Sequence, residues 1–405
     1  MGKRRRWGIV TIIIIFIAMA LAVTQLHSLA EETIYIKDIK GDPSVLKDVT
    51  ITGMVQDKYQ GQFFTIEEGK VRQKREAFDH YLNNTWERRN YREPIKIDDK
   101  DELHYFEFRV SPGDSDILDV EANLRGTFGS IGYDTGLVGV EGSVRKTRQG
   151  KSVSRPSLRK GNEYVIVNEK IFFTVPTISE YRGKNGIFKV ENLPDQENNI
   201  HEETIKRIVT FNLNELEDQF NVWGITSVDD KLILITSIND DLTISLYEES
   251  GLLIESKTIE TNIEYFRFFD LNIITKEEDI IMDFESTVRS QSPVIVFDVK
   301  NGINIKNITY LDLVYEDYKL LRVDAFYYIG NRLYVFADMG SKMWRSDDYA
   351  YYIYVYENNA LVYVGELVTE VTKEHVPTRQ VVEKDFRNYD YLYIDNIVVT
   401  PNSEI

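Results

Sequence analysis

Between Ser143 and Asn162 the chain carries seven basic residues, Arg145, Lys146, Arg148, Lys151, Arg155, Arg159 and Lys160, and no acidic one. Their chemistry is electrostatic. Beside an anionic surface each such charge gains about 1 kcal/mol, and the gain fades within a Debye length. Away from such a surface the same run is a solvated loop. These seven residues are the candidates for anionic-surface binding, on a chain whose net charge is -18.

Other chemistries lack their residues in the required order. Serine nucleophiles sit on strained turns, and no Gly-x-Ser-x-Gly occurs. Ser44 with Lys47, and Ser157 with Lys160, match a Ser-x-x-Lys spelling, but neither opens a helix. The five histidines, His27, His80, His104, His201 and His375, are too scattered for a zinc site. Asp114, Asp116, Asp119 and Glu121 cluster, as do Asp98, Asp99, Asp101 and Glu102. Neither cluster has the glycine and closing glutamate of a calcium loop. Calcium is the one cofactor to be weighed; otherwise none is expected, and no catalytic residue can be named. With 66 acidic residues, the two facing carboxylates of a glycan hydrolase cannot be chosen from sequence. Tyr352, Tyr354 and Tyr356 fall on one strand face, as do Tyr389, Tyr391 and Tyr393. Such rows either stack ligand rings or pack against a neighbouring sheet.

The composition favours strands as the elements that would hold these residues. Of 405 residues, 42% are hydrophobic and 12% aromatic, with 25 Tyr and 20 Phe. Aromatic and β-branched side chains suit a pleated, half-buried surface. The acidic balance repels nucleic acid, so none is expected as a partner.

The first thirty residues form a segment of their own. MGKRRR carries four positive charges, and Trp7 to Ala30 carries none at pH 7. A basic start before an apolar run is either a cleaved secretory signal or an uncleaved anchor. A signal core spans roughly 7 to 15 apolar residues and a spanning helix needs about 20. Residues 7–26 meet the second length, whereas Ser28-Leu29-Ala30 would suit cleavage after Ala30. Under both readings the basic flank stays inside and residues 31–405 are exported. There is no cysteine, so an exported domain must rely on its core rather than on disulfides.

A phrase recurs along that exported part. EKIFFTV from Glu169, DKLILITS from Asp230, EDIIMDF from Glu278 and NRLYVFA from Asn331 each start with a polar pair and a short apolar run. An alternating strand follows, then a tight turn such as Glu249-Ser250-Gly251, Lys300-Asn301-Gly302 or Glu357-Asn358-Asn359, then a last strand. KDVTITGM from Lys47, with its Glu67-Glu68-Gly69 turn, repeats the idea. Starts near 48, 104, 137, 169, 230, 278, 331 and 390 give seven or eight units. The stretch from Tyr389 has no room for a complete unit, so ETIYIKDIKG from Glu32 is expected to complete it. Two insertions are expected: an amphipathic helix over about 70–94, carrying Phe78, Leu82 and Trp86 on one face, and the basic loop over about 143–162.

On these phrases the chain from Thr33 to Ile405 resembles the bacterial beta-propeller superfamily. Export without cysteine, in a Lys/Glu/Ile/Tyr-rich chain, is similar in style to proteins exported by Gram-positive bacteria. The propeller resemblance implies an all-β fold of about seven four-stranded blades, and says nothing of activity. The expected protein is a single-pass cell-membrane propeller with its C-terminal domain outside, or a secreted one if cleaved. Its expected role is to bind or scaffold a peptide, glycan or protein partner or an envelope polymer. The alternative is an extracellular glycan hydrolase with paired carboxylates in the propeller channel.

Overall fold

Positive backbone angles appear where the sequence asks for hairpins. Gly251, Gly302, Asn358 and Asn359 take φ of 90°, 99°, 47° and 69°, the left-handed region that Gly and Asn tolerate best. In the computed structural model each of these turns sends the chain back antiparallel to the strand before it. The structure describes residues 34–402 outside the segments 57–59, 78–94, 97–101, 104, 113–117, 127–129, 140–141, 148–149, 155–161, 178–180, 192–203, 215–219, 240, 262–269, 277, 286–290, 314–317, 342–348 and 369–392.

The described chain is almost entirely strand, arranged in antiparallel sheets that are numbered here in chain order. Sheet 1 holds Val49–Gln56, Gln60–Glu67 and Lys70–Ala77. Sheet 2 holds Tyr105–Pro112, Leu118–Arg125 and Ser130–Gly139. Sheet 3 holds Tyr164–Val167, Lys170–Phe173, Tyr181–Val190 and Ile205–Asn212. Sheet 4 holds Phe220–Val228, Lys231–Ile238, Asp241–Glu248 and Leu253–Glu260. Sheet 5 holds Asp270–Lys276, Asp279–Glu285, Gln291–Asp298 and Asn304–Asp312. Sheet 6 holds Tyr318–Ile329, Arg332–Ser341, Tyr349–Glu357 and Ala360–Val368. Sheets 2 and 3 are joined edge to edge where Tyr181, Arg182 and Gly183 pair with Gly139, Val138 and Leu137.

The two ends of the chain are exchanged. Tyr393–Pro401 pairs with Val49–Gln56 and becomes the first strand of sheet 1. Tyr35–Gly41 pairs with Ala360–Val368 and adds a fifth strand to sheet 6. The N-terminal strand was expected to complete the unit that starts near Tyr389; it completes the preceding one instead. Two of the eight expected starts thus open no sheet: the one near 137 falls inside Ser130–Gly139, and the one near 390 closes sheet 1. Beside the two-stranded pairs Gly142–Thr147 with Gly150–Ser154 and Ile95–Lys96 with Glu102–Leu103, the described residues form the six larger units numbered above, two of them joined in one sheet, where about seven were expected.

The apolar faces pack sheet on sheet in chain order. Phe173 and Phe188 of sheet 3 meet Val120 and Leu124 of sheet 2. Val222 and Leu232 of sheet 4 meet Phe172 and Ile187 of sheet 3. Trp223 and Ile244 of sheet 4 meet Met282 and Phe284 of sheet 5. Val294 and Val296 of sheet 5 meet Val335 and Tyr354 of sheet 6. Phe336 and Val355 of sheet 6 meet Ile51 and Phe64 of sheet 1. Both faces of an inner sheet are therefore buried, and runs such as Leu232–Ile235 read as continuously apolar for that reason. The order is propeller-like, with the last sheet packed on the first.

The helix expected over 70–94 does not begin at Lys70. Lys70–Ala77 is a strand, paired with Gln60–Glu67 across the Glu68-Gly69 turn. That turn, with φ of 51° and 74°, delivers the next residues onto an open strand edge, and pairing outweighs their local helical leaning. Phe78, Leu82 and Trp86 lie outside the described residues, as do residues 1–33, which hold the whole segment expected to direct export. Among the described residues no helix is long and apolar enough to cross a membrane.

Candidate functional site

The two ends of the sheets are built differently. At one end of sheets 4, 5 and 6 the first strand turns into the second, and the third into the fourth. Ion pairs and hydrogen bonds tie these turns together from sheet to sheet. Glu249 of sheet 4 accepts from Lys170 Nζ at 2.7 Å and Asn168 Nδ2 at 3.1 Å, both of sheet 3. Those two hydrogen bonds hold the Glu249 carboxyl below its usual range. Glu255 of sheet 4 accepts from the Ile303 N–H of sheet 5 at 2.8 Å. In sheet 5, Lys306 bonds to Asp279 and, at 3.2 Å, to Asp298. Arg332 of sheet 6 bonds to Glu357 at 2.8 Å and reaches Asp48, at the end of the short helix Pro43–Asp48 that leads into sheet 1.

At the opposite end the second strand passes to the third, and each sheet passes to the next. The expected basic segment falls there. Gly139, the last residue of sheet 2, pairs with Tyr181, the first residue of the third strand of sheet 3, so the basic segment leaves sheet 2 beside the connection end of sheet 3. The segment is not all loop: Gly142–Thr147 and Gly150–Ser154 form a two-stranded hairpin. Arg145, Lys146 and Lys151 are on it, with Lys146 directly opposite Lys151. Arg148, Arg155, Arg159 and Lys160 lie outside the described residues. Thr147 pairs with Gly150, and that glycine is the signal that could have marked a hairpin here. The hairpin leaves sheet 2 beside the start of Tyr181–Val190, where Arg182 is half-buried and Lys184 exposed. Those two charges were missed by sequence reasoning, because 40 residues of chain separate them from Gly142.

The innermost strands carry a second group of polar contacts. Ile225 N–H of sheet 4 donates to Asn162 O, just before sheet 3, at 2.8 Å. Lys276 Nζ of sheet 5 donates to Phe326 O of sheet 6 at 3.0 Å, and Tyr327 Oη donates to Ile397 O of the C-terminal strand at 2.7 Å. First strands of successive sheets thus touch at these points. Lys276 is half-buried, with Nζ 2.7 Å from the centroid of the Tyr327 ring. Burial lowers its amine to about 8, while the ring face and the carbonyl favour the ammonium and oppose a further fall.

The tyrosine row of sheet 6 is not a ligand platform. Tyr352, Tyr354 and Tyr356 are 3%, 1% and 2% exposed and pack against sheet 5. Tyr389 and Tyr391 lie outside the described residues. So do Asp98, Asp99, Asp101, Asp114 and Asp116 of the acidic clusters. Among the described residues no group of three His, Cys, Asp or Glu could hold a metal. A small void between sheets 6 and 1, lined by Phe336, Tyr351, Leu367 and Ile397, has about 10 Å³, room for one water at most.

No protein-family model matches the chain, and no curated protein matches it in sequence. Solved structures do align with it. A lignostilbene dioxygenase from Pseudomonas brassicacearum is 9% identical, over 82% of this chain and 66% of that one, with a TM-score of 0.28. Prolyl oligopeptidase B from Galerina marginata is 14% identical, over 82% of this chain and 46% of that one, with a TM-score of 0.31. The Nup133 β-propeller domain from Vanderwaltozyma polyspora is 7% identical, over 77% and 90%, with a TM-score of 0.25. The chain spans about two thirds of the dioxygenase and less than half of the oligopeptidase. TM-scores this low leave architecture and chemistry to the chain's own residues.

Proposed function

We propose that the chain is an exported propeller of six blades, closed by its exchanged terminal strands, that serves as a binding or scaffold module at a cell envelope. Residues 7–26 hold it at the membrane, or release it if cleaved after Ala30. Its partner is a peptide, glycan or protein, and the basic residues Arg145, Lys146, Arg148, Lys151, Arg155, Arg159 and Lys160 attach the connection end to anionic lipid or envelope polymer. One observation carries this reading: a basic hairpin emerges beside Arg182 and Lys184 at the connection end of a chain whose net charge is -18. The other end is occupied by tight turns tied to one another. Propellers in general present their connecting loops around the central axis, where partners dock.

The test is salt-dependent binding. A version spanning Glu31 to Ile405 is mixed with anionic vesicles, or with anionic wall polymer, at low and high salt. The expected result is binding at low salt that high salt abolishes, and that the sevenfold Gln variant lacks. Wild type binding no better than the variant at low salt would sink the assignment of these residues.

A further inference from the structure

Sheet 6 shows how this fold takes up an extra strand. Tyr35–Gly41 runs antiparallel along its outer strand Ala360–Val368, with Ile36 opposite Leu367 and Lys37 opposite Glu366. Lys37 Nζ meets the Glu366 carboxylate at 3.1 Å. An apolar residue and a cation of the added strand thus answer an apolar residue and an anion of the edge.

Sheet 4 presents the same kind of edge without an added strand. Its outer strand Leu253–Glu260 pairs with Asp241–Glu248 on one side, and among the described residues nothing pairs with the other. Six of its eight residues are exposed, so a segment laid along it meets open surface. The edge begins on an aliphatic run, Leu252, Leu253 and Ile254, which are 62%, 50% and 45% exposed. Open edges are ordinarily guarded by charge or proline, and this run has neither. Glu255 and Lys257 are turned to sheet 5, where they bond to the N–H and the carbonyl of Ile303. At the far end Glu260 lies directly opposite Asp241, both exposed, and like charges so placed repel. Among the described residues neither of these two carboxylates has an ion-pair partner.

We propose that the outer edge of sheet 4 receives an extended segment of a partner protein as a fifth strand. That segment carries aliphatic side chains to cover Leu253 and Ile254, and a lysine or arginine to meet Glu260. Backbone pairing along the edge supplies affinity, and the side chains at its two ends supply the choice of partner. A cation at Glu260 removes the repulsion from Asp241, as Lys37 serves Glu366 in sheet 6. The proposal rests on the reading of the chain as a binding module and specifies its partner as an extended peptide segment. It shares no residue with the basic hairpin.

The full chain, held in detergent, is titrated into a fluorescein-labelled nonapeptide with the sequence of residues 33–41, TIYIKDIKG, and anisotropy is read. Binding is expected, and Leu253→Asp with Ile254→Asp should weaken it about tenfold. Glu260→Lys should weaken it by about the same factor, and a peptide with Lys37→Glu and Lys40→Glu should recover that loss. Melting temperatures of these exposed variants should stay within about 2 °C of wild type, so weaker binding is not unfolding. A peptide with Asp38→Pro and Ile39→Pro, which lacks ladder donors, should not bind. No binding, binding that ignores the substitutions in sheet 4, or equal binding by the proline peptide would each overturn the proposal. Self-association of the chain that Leu253→Asp disperses would place a second copy on this edge and overturn it equally. Because the sheet 4 variants keep the hairpin intact, failure of vesicle binding and failure of peptide binding are read separately.

Discussion

Tyr327 gives its hydroxyl proton to the backbone carbonyl of Ile397 at 2.7 Å, a bond across 70 residues of sequence. It fastens the first strand of sheet 6 to the C-terminal strand, which belongs to sheet 1. At the other end of that strand Asn402 Nδ2 donates to Lys47 O at 2.6 Å, and Thr50 Oγ1 donates to Asn402 Oδ1 at 2.5 Å.

These bonds make closure testable by degrees. Tyr327→Phe removes one hydrogen bond, worth about 1 kcal/mol, so Tm should fall by about 1–3 °C for a domain of this size. Truncation before Tyr393 removes a whole strand from sheet 1 and uncovers the edge of Val49–Gln56. Cooperative melting should then be lost or split into two steps in calorimetry. A truncated chain that melts like the full one would show that Tyr393–Pro401 is not part of the closure.

Trp223 supports a second prediction. Its side chain is 0% exposed, meets Phe284 edge to face at 5.1 Å and donates Nε1–H to Ser237 Oγ at 2.9 Å. Trp223→Ala opens a cavity between sheets 4 and 5 and should cost about 3–5 kcal/mol. Trp223→Phe keeps most of the packing and loses the N–H donor. Ser237 Oγ still receives Asn221 Nδ2 at 3.2 Å, so the smaller change should cost about half as much or less. Denaturant melts of the three proteins give the order directly, and equal losses for both variants would refute the packing argument.

In sheets 4, 5 and 6 the second, third and fourth strands were legible in the sequence and the first was hidden. Leu232–Ile235 and Leu333–Ala337 are apolar at every position because both faces of their sheets are covered, and the Gly and Asn turns that follow are explicit. The first residue of each polar pair, Glu169, Asp230, Glu278 or Asn331, belongs to the turn between first and second strands, and the second residue opens the second strand. First strands such as DLNIITK of Asp270–Lys276 mix polar and apolar residues and so carry no clear period. Regular four-residue spacing of Phe78, Leu82 and Trp86 misled the reading back to Lys70, where a hairpin turn decides the outcome. Lys276 left no trace in sequence, for its burial and its Tyr327 neighbour arise only when sheets 5 and 6 meet.

Export gives a third prediction. Four positive charges in the first six residues precede a charge-free run, the arrangement that keeps the N-terminus inside and sends the rest across. A reporter enzyme that works only outside the cytoplasm, fused after Ile405, should be active. Replacing Lys3, Arg4, Arg5 and Arg6 by Gln should reduce that activity. A well-expressed but inactive fusion would mean that residues 31–405 stay inside.

The fourth prediction concerns Asp298, because a paired-carboxylate hydrolase needs one acid that is protonated at its working pH. Asp279 and Asp298 both reach Lys306 Nζ, so they are a pair that would have to be considered. Burial alone would raise the Asp298 carboxyl, but hydrogen bonds from Lys306, from Asn304 and from the Lys300 N–H outweigh it and hold the group below its usual range. Asp298 is thus held charged rather than poised to donate a proton. A lowered carboxyl contributes stability that is present above the unfolded value, near 4, and lost as pH falls through the lower folded value. Lys306 is shifted the other way: burial would lower it, but its bonds to Asp279 and Asp298 raise it. Its contribution is therefore present below the ordinary lysine value and lost as pH rises through the folded one. Asp298→Asn should cost about 1–3 kcal/mol at pH 7, and the gap between wild type and variant should close as pH falls below about 4. Thermal melts from pH 7 to pH 3 measure this. A gap that stays constant to pH 3, or glycan cleavage by the wild type that Asp298→Asn abolishes, would show that the pair does more than hold sheet 5 together.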